Sequence, residues 1–77
     1  MTLEGVYLDA VVSSILDLAD EPMADFEIER DVARLGYKVP GSTIRACRLA
    51  LLRSNVIARS DVKKLSPHGV TCNTFVR

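Results

Sequence analysis

The stretch Gly41–Ile57, GSTIRACRLALLRSNVI, decides how the chain is read. Ile44, Cys47 and Leu51 recur at helical spacing, so they mark the buried side of a helix. Ser42, Arg45, Leu49 and Arg53 fall toward other sides and are left to solvent or to a partner. Ser42 stands where an N-cap is wanted, because its hydroxyl oxygen can accept a free backbone N–H of the first turn. Ser54-Asn55 supplies the stop, since asparagine follows glycine as the preferred left-handed C-terminal cap. Such a helix is built to be presented by the rest of the chain.

Immediately upstream, Tyr37-Lys38-Val39-Pro40-Gly41 has turn chemistry, and Gly36 sits where the preceding helix needs its left-handed cap. That second helix is short, from Asp25 or Phe26 to Leu35, with Asp25 as its expected cap. Ile28, Val32 and Leu35 mark its buried side. The first helix is expected from Leu3 to Ala19, with Thr2 as cap and Asp20-Glu21-Pro22 as stop. Its stripe of Leu8, Val11, Val12, Ile15, Leu18 and Ala19 reads as core, with a dimer face as the alternative.

Downstream, Val56 to Arg59 and Val70 to Val76 read as strands, separated by the turns Ser60-Asp61 and Ser66-Pro67-His68-Gly69. In the second strand Val70, Cys72, Thr74 and Val76 alternate with Thr71, Asn73, Phe75 and Arg77. A short helix, a glycine turn and a presented helix make a helix-turn-helix, and a terminal hairpin makes its wing. The expected architecture is therefore α+β, mainly α: three helices followed by a β-hairpin wing, one domain over residues 1–77.

The bulk composition is that of a folded chain, 48% hydrophobic and 26% charged. No apolar run reaches membrane-spanning length, and Glu4 and Asp9 lie where a secretory signal would carry lysines. Cys47 and Cys72 are too few for a secreted disulfide framework, so a cytoplasmic location is expected. Net charge is zero, but it is segregated. Residues 1–31 hold nine acids against Arg30 alone, and residues 32–77 hold nine bases against Asp61 alone. Such asymmetry fits one face meeting a polyanion, or two halves that attract each other within the fold or across a dimer.

The same residues resemble the DNA-binding domain of the GntR-type regulators, within the winged-helix superfamily, over roughly Ile28 to Arg77. Val39, Thr43, Ile44 and Arg45 match that family's turn and recognition-helix opening at the right spacing. Leu51 and Asn55-Val56-Ile57 are similar to its entry into the wing, and Asn73-Thr74-Phe75-Val76 to the wing's close. Pro40 and Gly41 replace a serine and an arginine of the family, Tyr37 and Lys38 lengthen the turn, and Arg48 stands where an apolar residue is usual. The chain ends at the wing, so no effector domain is expected.

The resemblance implies a small transcription regulator or accessory factor that reads double-stranded DNA with helix 42–54 and touches backbone with wing 60–70. The residues expected at DNA are Lys38, Ser42, Thr43, Arg45, Arg48, Leu49, Arg53, Lys63, Lys64 and His68. Arg45 is of the type that pairs bidentately with guanine, the lysines and His68 with phosphate. A second copy of the chain is the other expected partner, and no membrane is. The rival reading is a protein-interaction module, of viral or mobile-element type, in which Leu49 between two arginines anchors a host complex. No enzyme, metal or cofactor is expected: His68 has no orienting acid in sequence reach, and the cysteines lack zinc-site spacing.

Overall fold

Leu8, Val12 and Leu16 come round on one side of α1 (Gly5–Leu18) and close the core from above. The computed structural model describes residues 5–77, with side chains from Tyr7 onward. The expected Thr2 cap and the expected helix start at Leu3 lie outside the described residues. Two residues, Met23–Ala24, form β1, followed at once by α2 (Asp25–Arg34). After a turn come α3 (Gly41–Arg53), β2 (Ala58–Leu65) and β3 (Thr71–Val76). About half of the chain is helical, and the class is α+β with a three-stranded antiparallel sheet in the order β1-β3-β2.

The sheet corrects the expectation of a terminal two-stranded wing. β3 lies between its neighbours, pairing Met23 with Phe75 and Ala24 with Thr74 on one side, and with β2 on the other. The outcome is that Thr74 and Phe75, which point to opposite sides of the strand, are both buried. β2 begins later and runs further than Val56 to Arg59, through Ser60-Asp61, which form no turn. Its register slips between Ser60 and Lys63, a bulge whose backbone groups are taken up by hydroxyls. Ser60 Oγ accepts the Val62 N–H, and Thr74 Oγ1 donates to the Val62 carbonyl at 2.6 Å.

The core gathers Leu8, Val12 and Leu16 with Ile28, Val32, Ile44, Cys47, Leu51, Ile57 and Phe75. The expected buried side of α3 is therefore the observed one. Two other assignments change. Leu18 is the last residue of α1, exposed, while Leu16 takes the core position. Leu35 lies past the end of α2, in its C-cap, and is also exposed.

The caps differ from expectation in a physically clear way. The N-cap of α3 is Pro40, whose carbonyl accepts the N–H groups of Thr43 and Ile44, so Ser42 is inside the helix and caps nothing. At α2 the cap position is Ala24. Its N–H is held by Glu27 Oε1 at 3.0 Å, and Asp25, one residue inside, is free to reach elsewhere. Both C-termini keep their expected form. Gly36, at φ +91°, lets Tyr37 N–H reach the Val32 carbonyl, and Asn55, at φ +61°, does the same for Val56 and Leu51.

Candidate functional site

α3 presents Ser42, Thr43, Arg45, Ala46, Leu49, Ala50 and Arg53 to solvent. Burial of Ile44, Cys47 and Leu51 fixes this outward set, because the helical period leaves those positions no other direction. The stripe is built of small and aliphatic residues with an arginine near each end. Lys38, in the turn before α3, and His68, in the Ser66–Gly69 turn after β2, are exposed too.

The two charged halves of the sequence meet inside the fold. Arg48 donates two hydrogen bonds to Asp25, at 2.9 and 2.7 Å, across 23 residues of chain. Its guanidinium also lies 4.4 Å from the centre of the Phe75 ring. With side chains only 16% and 24% exposed, Arg48 and Asp25 are a structural pair. Arg48 thus fills the place of an apolar residue with its stem and carries its charge to an acid on α2.

Lys64 is also turned inward, 18% exposed, between Glu21 at 2.6 Å and Glu27 at 3.0 Å. Arg45 bonds Glu29 at 2.9 Å, and Arg77 lies 3.6 Å from Asp17. Gly41 adjoins the Arg45–Glu29 pair so closely that a Cβ there would sit 2.5 Å from Glu29 Oε1. Arg45 differs from Arg48 in being 53% exposed with a single contact. Such a surface pair holds about 0–1 kcal/mol, so Arg45 can exchange its acid for another partner and Arg48 cannot.

Among the described residues, Lys38, Arg53, Arg59 and Lys63 have no ion-pair acid; Lys63 donates instead to the side-chain oxygen of Asn73. Arg59 was not singled out from sequence. It lines a cleft of about 330 Å³ with Asp25, Arg48, Cys72, Asn73 and Phe75, where the sheet meets α3. Its signal was present but weak, an arginine at the opening of an edge strand.

The thiols have separate roles. Cys47 donates to Asp9 Oδ1 at 2.8 Å, and burial, then that bond, then the Asp9 charge push its pKa up to about 12. A thiol so held stays protonated and is a poor nucleophile. Cys72 Sγ lies 3.4 Å from the Val70 carbonyl. The described residues contain no group of three or more ligand-type side chains. None of their helices is long and apolar enough to cross a membrane.

The Glu27–Lys64 pair makes stability depend on pH. Burial acts to raise the Glu27 pKa, but the Ala24 N–H, Lys64 and Arg30 outweigh it and hold the carboxyl below its ordinary 4.5. The Lys64 ammonium is held above its ordinary 10.5, first by the Glu21 hydrogen bond, with burial opposing and Glu27 adding. A carboxyl lowered by folding stabilises above its unfolded value and loses that contribution as pH falls through its folded value. For Glu27 the contribution is full at neutral pH and disappears on acidification below about 4.5. Glu27→Gln is therefore expected to lower Tm at neutral pH and flatten the acid limb of Tm against pH, read by circular dichroism.

No family model, curated protein or solved structure matches this chain.

Proposed function

We propose that the chain is a small winged helix-turn-helix protein that binds double-stranded DNA, with α3 in the major groove and β2–β3 along the backbone. One observation carries the reading. Among the described residues, the cations without an ion-pair acid are Lys38 in the turn before α3 and Arg53 at its end, with Arg59 and Lys63 on β2. Between them α3 offers Ser42, Thr43, Ala46 and Ala50, small enough for the helix backbone to approach base edges. Arg45 joins them by releasing Glu29 and is the residue assigned to a guanine, worth about 1–3 kcal/mol of discrimination.

Lys38, Arg53, Arg59 and Lys63 are assigned to phosphates, Leu49 to a thymine methyl, and Ser42, Thr43 and His68 to the margins of the contact. Arg48 and Lys64 are left to the fold. The order α2, turn, α3 and then the antiparallel β2–β3 pair supports the winged-helix reading, and with it a role in transcription or another DNA transaction.

A second reading is favoured by Leu49. It is exposed on a stripe of α3 that has few charges, and five of the nine cations of the basic half already have acids. On that reading the same helix anchors a protein groove. Titration of a labelled mixed-sequence duplex by fluorescence anisotropy separates the two. Binding that weakens steeply with salt is expected for DNA recognition, and no binding at low salt would leave the protein partner.

A further inference from the structure

We propose that the outer side of α1, with the end of α2, is where a second copy of this chain docks, the two α1 helices antiparallel about a two-fold axis. α1 is apolar on two sides. Leu8, Val12 and Leu16 face the core, while Tyr7, 66% exposed, and Leu18, 82% exposed, stand outside with half-buried Val11 between them. A helix apolar on both sides is normally covered on both. Exposed Leu35 stands beside this face.

Two grooves, of about 410 and 330 Å³, adjoin along it and share Ser14 and Leu35. One is lined by Ile15, Leu18, Ala19 and Arg34, the other by Tyr7, Ala10, Val11 and Tyr37.

Charge and register are both self-compatible on this face, which fits a copy of this chain as the occupant. The acids of α1 are already engaged, Asp9 by the Cys47 thiol and Asp17 by Arg77. The charges lining the grooves are Asp31 and Arg34, themselves paired at 3.8 Å. Two copies therefore meet without net like charge. In the antiparallel register Tyr7 faces the partner's Leu18, Ala10 the partner's Ile15, and Val11 the partner's Ser14.

The small residues Ala10 and Ser14 lie near the crossing and let the helices close, and the large ones enter grooves at the ends. The Tyr7 ring enters the groove that holds Arg34 and Asp31, whose polar groups can bond its hydroxyl.

α1 is about 21 Å long at 1.5 Å per residue. At roughly 10 Å of width for each of α1 and α2, the face offers roughly 400 Å² per copy, half of the ~800 Å² of a standard interface. The dimer is accordingly concentration-dependent and not obligate. This inference does not rest on DNA binding, and its test contains no nucleic acid.

Sedimentation equilibrium over about two decades of concentration up to ~1 mM is the measurement. The mass is expected to rise from 8.5 kDa toward twice that value. Tyr7→Glu and Leu18→Lys, each at an exposed position, should keep the far-UV circular dichroism and weaken the dimer at least about tenfold. An equimolar mixture of the two variants should recover it. The new carboxylate on one chain then faces the new ammonium on the other, and the opposite Tyr7–Leu18 contact is intact. A wild-type mass that stays at 8.5 kDa would overturn the proposal, as would variants that dimerise like wild type or a mixture without recovery.

Discussion

Arg48→Ala is expected to lower the unfolding free energy by about 3 kcal/mol, the largest loss for any charged side chain here. The substitution removes both hydrogen bonds to Asp25 and the packing on Phe75 together. It also leaves the Asp25 carboxylate largely out of water without a counter-charge. Breaking a fully buried pair from one side costs about 3–5 kcal/mol, and the residual exposure of this one places it at the low end. For a chain of this size the change corresponds to roughly 12–24 °C in Tm. Urea and thermal unfolding would measure it. Arg48→Met with Asp25→Asn should recover much of the loss, since the stem packing returns and no charge is stranded. A loss well below 1 kcal/mol from Arg48→Ala would mean that the pair is only a solvated contact.

The second large effect lies on the other side of the same division of charge. Replacing Lys38, Arg53, Arg59 and Lys63 together by alanine is expected to weaken duplex binding by about three orders of magnitude at low salt, at roughly 1 kcal/mol per phosphate contact. Tm should change little, because among the described residues these exposed side chains have no ion-pair acid, and Lys63 gives up only its hydrogen bond to Asn73. Arg34→Ala, on α2 beside α1, is the control and should bind like wild type. Affinity read by anisotropy checks both variants. A loss of about 1 kcal/mol from the control, the same per charge as in the fourfold variant, would show that overall charge, and not the α3–β2 surface, determines binding.

These effects separate cleanly because the fold sorts charges that the sequence only lists. The presenting helix was legible: Ile44, Cys47 and Leu51 are a strong helical repeat, and Gly36 and Asn55 punctuate the right ends. β3 was legible from its alternation. β1 was not, since two residues cannot show a period of two, and its strand character comes only from pairing with β3. The extent of β2 was hidden by Asp61, Lys63 and Lys64, polar residues that an edge strand tolerates, and by a bulge that breaks the alternation.

The site was legible in part. The outward set on α3 follows from periodicity, but Arg48 and Lys64 looked as available as Arg53. Their acids stand 23, 37 and 43 residues away, and only the tertiary fold brings them within reach. The exposure of Leu18 and Leu35 was likewise invisible, because an apolar residue near a helix end matches a core stripe whichever way the chain leaves.

The most direct test is the salt dependence of wild-type binding to a mixed-sequence duplex. Four free cations at phosphates give a slope of log K against log salt near −3.6, at about 0.9 per contact. Between ~50 and ~200 mM salt the affinity should then fall by about two orders of magnitude. A flat response over that range, or no binding at ~50 mM, would contradict DNA recognition by this surface.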